Sequence, residues 1–299
     1  MKVRRAGADD VFAMQQLASR LWPSGWHPGG LGWGLSRDAL AKAVVVAVDD
    51  DGSIVGFAAR GGDDATHVER DRDDVADALV TWLLEVDGSA PIAVWDGADA
   101  LTRAVLRAGL GPIGREPWSG MVLDVASVRD DPRRHVAGYT IRPVGRDETA
   151  ARVEVHRAAW KPSSIPFIDG RPVDPDAESS FTAAAYESVR GAWLYDRSFD
   201  LVAVADDNAG FGACCIGWFD AATGVCEIEP LGVAPAHRRR GLAVALCLEV
   251  GHLVDQRGGT HVFINTQPEP GYVASSSAYF AAGFDLVARA TTYAAPEGE

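Results

Sequence analysis

Residues 225 to 250 combine types that suit the holding of a phosphate group. Val225-Cys226-Glu227-Ile228-Glu229-Pro230-Leu231-Gly232-Val233 begins as a strand. Pro230 offers no ladder hydrogen bond and Gly232 marks a bulge, so the strand should part from a neighbour and free backbone groups for a ligand. Arg238-Arg239-Arg240-Gly241-Leu242-Ala243 follows, and a helix opens at Ala243 and stops at Gly258-Gly259. Unpaired N–H groups and the positive dipole end at a helix N-terminus attract phosphate. Gly241 lets the main chain approach the phosphate oxygens, Ala243 does not obstruct them, and the arginines add charge. A solvated basic turn is the plain alternative. Glu227 and Glu229 lie two apart on the strand and point to one side.

These residues need an α/β scaffold, and the sequence writes one such pattern twice. Val3-Arg4-Arg5-Ala6-Gly7-Ala8-Asp9-Asp10 resembles Ile141-Arg142-Pro143-Val144-Gly145-Arg146-Asp147-Glu148, each a short strand entering a helix. Val44 to Val48 and Ile54 to Ala58 flank an acidic, glycine-containing turn; Leu201 to Ala205 and Phe211 to Cys214 flank an acidic turn in the same way. Both read as β-hairpins. Ile92-Ala93-Val94-Trp95 precedes Leu106 to Leu110 as Val262-Phe263-Ile264-Asn265 precedes Phe280 to Phe284. Met121–Leu123 and Val287–Thr292 are the expected last strands. The polar run Arg129 to His135 reads as a linker. The expected domains are therefore 1–126, a linker at 127–137, and 138–299. In the first copy Val75, Ala78, Leu79, Trp82, Leu83 and Val86 mark an amphipathic helix. The segment before it, Thr66 to Arg72, is charged and lacks glycine, so the chemistry should lie in the second copy.

Composition narrows the function. The chain has 299 residues, 47% of them hydrophobic, enough for two cores. Its net charge of -14 and lack of an evident basic face argue against nucleic-acid binding. The acidity suits cationic substrates, or simply solubility. No apolar run approaches a membrane span and the start lacks a secretory signal, so a cytoplasmic protein without a membrane partner is expected. Four cysteines read as small buried side chains, and the histidines form no metal motif.

The Arg238-Arg239-Arg240-Gly241-Leu242-Ala243 segment resembles the Gln/Arg-x-x-Gly-x-Gly/Ala signature of the Gcn5-related N-acetyltransferase (GNAT) superfamily. The resemblance covers about residues 139–294 well and 3–124 only as a copy without the signature. It implies an α/β (α+β) fold of two tandem units, as in mycothiol synthase-like acetyltransferases. Each unit would be a mixed, mostly antiparallel sheet flanked by helices and splayed between strands 4 and 5. It implies acetyl-CoA as acyl donor, with the amides of the turn on its pyrophosphate and Leu231, Gly232 and Val233 pairing with pantetheine. Ala243 stands where glycine is commoner.

The implied reaction is attack of an amine on the thioester. An alkylammonium has a pKa of about 10.4, so a base must take its proton. Glu227 matches the glutamate base of histone-type members, and Glu229, beside Pro230, matches the Glu-Pro strand of tandem relatives; either also reads as a carboxylate on a strand. Tyr279, four residues before Gly283-Phe284, falls where the family has the acid for the departing thiolate, or is a core aromatic; the first copy has Val105 there. Asn265 ends the fifth strand, where it would bond pantetheine amides. The family's acceptor loop corresponds to Trp160 through Phe167, with His156 on the same helical side as Trp160; His156 also reads as a structural histidine. The expected acceptor is the primary amine of a small molecule, the alternatives being a protein amine or a non-catalytic acetyl-CoA-binding sensor, and the chain is expected to be a monomer or homodimer.

Overall fold

The computed structural model describes residues 1–38, 43–61, 65–115, 119–165, 172–207, 210–266, 273–287 and 290–296. It divides into two compact units, Met1–Glu116 with Ala288–Glu299, and Pro117–Val287.

The first unit runs β1 (Lys2–Arg5), α1 (Val11–Leu21), α2 (Pro28–Asp38), β2 (Ala43–Val48), β3 (Ile54–Arg60), β4 (Ala65–Val68), α3 (Asp73–Val86), β5 (Ile92–Trp95), α4 (Asp99–Arg107) and β6 (Gly111–Arg115). The β-branched run in β2 alternates between two cores. Val44 and Val46 join Met14, Leu17 and Phe57 on the α1 side. Val45 and Ala47 join Val75, Leu79 and Leu83 of α3 on the other. Strands β1 to β4 form an antiparallel sheet in that order.

The second unit runs β7 (Ser119–Asp124), β8 (Tyr139–Pro143), α5 (Thr149–Ala159), α6 (Ala183–Arg190), β9 (Asp200–Ala205), β10 (Phe211–Asp220), β11 (Val225–Val233), α7 (Leu242–Gln256), β12 (His261–Thr266), α8 (Val273–Ala282) and β13 (Asp285–Val287). Its sheet has the order β13-β7-β12-β11-β10-β9-β8. Leu246, Val250 and Val254 of α7 cover one face through Leu201, Ala213, Cys215, Cys226 and Ile228. Val155 of α5 covers Val202 and Cys214 on the other. The chain ends in β14 (Ala290–Ala294), which pairs between β5 and β6 of the first unit.

The repeated pattern is thus real in three dimensions, with one rearrangement. The first unit orders its strands β1-β2-β3-β4 and β5-β14-β6; the second orders them β8-β9-β10-β11-β12-β7-β13. Strand β7 in one sheet and β14 in the other hold the same place, so the two halves of the sequence have exchanged a strand. The expected last strand Val287–Thr292 is accordingly two strands: Val287 ends β13, and Ala290 begins β14 in the other unit. The span 127–137 is also not a free linker. Val125 and Val128 sit in the second unit's core, while Arg129 and Arg134 bind Asp255 and Glu249 of α7 at 2.6 and 2.8 Å. A polar sequence hid this because its contacts are made by side chains more than a hundred residues away. No helix among the described residues is long and apolar enough to cross a membrane.

Candidate active site

The second unit's sheet opens where the sequence placed a bulge. Along β10 and β11, Gly217 faces Ile228 and Cys215 faces Leu231. One residue of β10 therefore stands opposite two of β11, Glu229 and Pro230. The core side shows the same slip: Cys226 and Ile228 point inward two apart, but Leu231 packs on that core three residues later. On its other edge β11 pairs in parallel with β12 only over Val225 to Glu227. From Ile228 onward the two strands part, while β12 continues beside β7 to Thr266. Leu231, Gly232 and Val233 keep their antiparallel partners on β10. The diverging edge is where an extended chain can add hydrogen bonds.

The turn that follows is shaped for an anion. Gly241 caps α7 with φ +86° and accepts from the Ala245 N–H at 2.9 Å. Its left-handed conformation followed by the right-handed Leu242 makes a concave set of amides, and the first helical N–H groups have no intrahelical acceptor. A Cβ built on Gly241 meets nothing within 4 Å. The residue is exposed, Ala243 is half-buried, and Leu242 anchors the helix in the core.

The arginines divide their work in a way the sequence did not show. Arg238 is spent on main-chain carbonyls: Val233 at 3.2 Å, Ala159 at 3.3 Å and Ser164. It ties β11 to the end of α5. Arg240 donates at 2.9 Å to the Tyr139 hydroxyl, which also shares a hydrogen bond of 2.7 Å with His237 Nδ1. Arg239 is exposed with φ +64°, and is the side chain best placed to add free charge.

Residues 167–274 match the model of the acetyltransferase (GNAT) family. That stretch is thus similar to a GNAT acetyltransferase domain. The fold comparisons agree. A GCN5-related N-acetyltransferase from Sphaerobacter thermophilus shares 19% identity over 98% of this chain and 94% of its own, with a TM-score of 0.54. A GNAT-family acetyltransferase from Colwellia psychrerythraea shares 14% over 98% and 99%, TM-score 0.55. A tandem GNAT protein from the clavulanic acid biosynthesis pathway shares 14% over 100% and 99%, TM-score 0.54. No curated protein sequence matches the chain.

Within the matched stretch the two glutamates occupy different settings. Glu227 is buried and accepts at 3.2 Å from the Asn265 amide, which reaches across the opening from β12. Glu229 is half-buried at the bulge, and its carbonyl accepts at 2.6 Å from the Trp218 indole N–H. Asn265 is thus brought to Glu227. Tyr279, on α8, is 7% exposed and belongs to the core, its ring centroid 6.0 Å from that of Phe284. His156 is buried, stacked on Trp160 at 4.4 Å and packed on Phe181 at 4.0 Å. Trp160 lies against β11, where a Cβ on Gly232 would run into its ring. Of the expected acceptor loop, Trp160 to Ile165 are described, and Pro166 and Phe167 lie outside the described residues.

One cluster escaped the sequence reading. Asp200 is fully buried. Its carboxylate accepts from Arg152 Nε at 2.8 Å and from the hydroxyls of Tyr186 and Tyr195 at 2.6 and 2.9 Å. Burial, then the neighbouring Asp200 charge, pushes both tyrosines above the ordinary phenol range. The available signal was Arg152, a charge four residues before His156 on the inward side of α5. The four cysteines are free and buried, and burial raises the Cys214 thiol to about 11 and that of Cys247 to about 12.

The corresponding turn of the first unit is built differently. Asp71 holds the left-handed position at φ +61° before α3. Arg72 is spent on Asp74 and Asp49, each at 2.9 Å, and Arg103 and Arg107 bind Asp73 and Asp77. The Arg72 hydrogen bond holds Asp74 well below the usual carboxylate range. Carboxylates stand where a phosphate would have to come.

Proposed function

We propose that this chain uses acetyl-CoA to acetylate a primary amine of a small cytoplasmic molecule, with residues from 138 onward catalytic and the first unit degenerate. The observation that carries the reading is the exposed, left-handed Gly241 at the mouth of α7, beside a strand whose far edge has been released from its neighbour. The turn 238–243 would hold the diphosphate, and Leu231 to Val233 the pantetheine arm. Acetyl-CoA supplies an activated acyl group; the chain's residues position it and move protons. Glu229 is the better placed base, because it is half-buried and able to meet an incoming ammonium, whereas Glu227 is buried and oriented by Asn265. Tyr279 is the proposed acid for the departing thiolate, and Trp160 and His156 flank the acceptor.

The burial of Tyr279 in the core favours a second reading, a non-catalytic acetyl-CoA-binding module. A screen of amines, aminoglycosides and amino acids for CoA release separates the two. The proposal expects at least one acceptor, and a Tyr279→Phe variant with reduced turnover and unchanged acetyl-CoA affinity. Binding without release from any amine favours the second reading.

A further inference from the structure

The bulge that carries Glu229 interrupts the ladder on both of its edges. Pairing with β10 skips from Ile228 to Leu231, and pairing with β12 has already ended at Glu227. Pro230 contributes no N–H. The course of this piece of main chain, which carries the Glu229 side chain, therefore depends on contacts outside the ladder. Trp218 supplies one. It is fully buried, stands opposite Glu227 on β10, and donates its indole N–H diagonally to the Glu229 carbonyl at 2.6 Å.

Trp218 is itself held. Its ring meets that of Tyr195 edge-on, with centroids 6.3 Å apart. Tyr195 donates to Asp200, which Arg152 and Tyr186 also bind. Asp200 pairs across the sheet with Ile216, the β10 residue opposite the bulge. The buried ion pair, two phenols and one indole thus lead by successive contacts to one carbonyl. Asp200 accepts from three donors, and losing either member of the Arg152–Asp200 pair would leave an uncompensated buried charge.

We propose that Trp218 is a positioning residue for the acetyl transfer: through its hydrogen bond to the Glu229 carbonyl it sets the bulge and so aims the Glu229 carboxylate. This rests on the acetyltransferase reading. The cofactor strand is held separately, since Leu231 to Val233 pair with β10 and Gly232 packs on Trp160. The two functions should separate experimentally.

The test replaces Trp218 in the full chain by β-(3-benzothienyl)alanine, which keeps the ring shape and puts sulfur in place of the N–H. Trp218→Phe is the simpler companion. Three quantities are read: amide hydrogen exchange of peptides covering 226–234, the acetyl-CoA dissociation constant by calorimetry, and kcat with an amine found in the screen. The expected result is exchange about tenfold or more faster in 226–234, unchanged exchange at the start of α7, acetyl-CoA affinity within about twofold, and kcat lowered about tenfold. Restoring Trp218 should restore kcat. Unchanged exchange and kcat in the sulfur variant would overturn the proposal, as would a loss of acetyl-CoA affinity as large as the loss of kcat. If no amine releases CoA, the functional reading fails on its own, and the exchange of 226–234 still decides whether Trp218 fixes the bulge.

Discussion

Replacing Gly241 separates backbone strain from ligand exclusion, because the residue has φ +86° but open space around it. Any residue with a Cβ bears the left-handed penalty, about 1–2 kcal/mol. No steric clash adds to it, since nothing lies within 4 Å of the built Cβ. Gly241→Ala and Gly241→Glu should therefore melt within a few degrees of each other, both roughly 3–6 °C below the wild type. Ligand binding should split them. The alanine methyl trims the space for a diphosphate and should weaken acetyl-CoA about tenfold. The glutamate adds a negative charge, and two charges ~4 Å apart near a protein surface interact by about 4 kcal/mol at an effective dielectric of 20. Even half of that weakens binding a further thirtyfold or so, so Gly241→Glu should bind at least a hundredfold more weakly than wild type. Differential scanning fluorimetry supplies the melting points and calorimetry the affinities. Equal acetyl-CoA affinity in Gly241→Glu and wild type would refute the phosphate cradle, whatever the melting points.

Three other perturbations follow from the geometry. His67, buried and stacked on Phe57 at 4.5 Å, is held down to about 4 by loss of hydration. Its folded pKa lies below its unfolded value, so stability is full above about pH 6.5 and falls as pH drops towards 4, by roughly 3 kcal/mol in all. Urea midpoints of His67→Gln should lack that part of the slope; an identical slope in both proteins would remove His67 as its source. Asp200→Asn leaves the Arg152 charge buried without its partner and should cost roughly 3–5 kcal/mol, read as a lower urea midpoint; a change under about 1 kcal/mol would mean that no uncompensated charge is left. Finally, carboxylates crowd the first-unit turn at Asp71, Asp73 and Asp74, so acetyl-CoA should bind with a stoichiometry of about one per chain; two sites would contradict that assignment.

The residues nearest the chemistry were the most legible. Pro230 and the apolar run after the arginines could be read by local rules: the ladder slips at Glu229 and Pro230, although Gly232 keeps its partner on β10, and α7 opens at Leu242, one residue before the expected start. The duplicated pattern was legible because periodicity repeats in each half. What escaped was set by distant partners. Met121 and Ala290 both carry strand signals, but nothing local says that each strand completes the sheet built by the other half of the sequence. Arg238 looked like a phosphate ligand because its charge is visible and the carbonyls of Ala159 and Ser164 that consume it are not. Trp218 carried no signal in the sequence, since its hydrogen bond arises only where a missing ladder exposes the Glu229 carbonyl. Tyr279 lies in the core, in keeping with the apolar company it keeps in sequence.

Titration of acetyl-CoA into the whole wild-type chain bears most directly on the claim that α7 opens on an anion cradle. Saturable heat at about one ligand per chain, competed by CoA, is the predicted result. A flat titration into the millimolar range, with no rise in melting temperature, would contradict it.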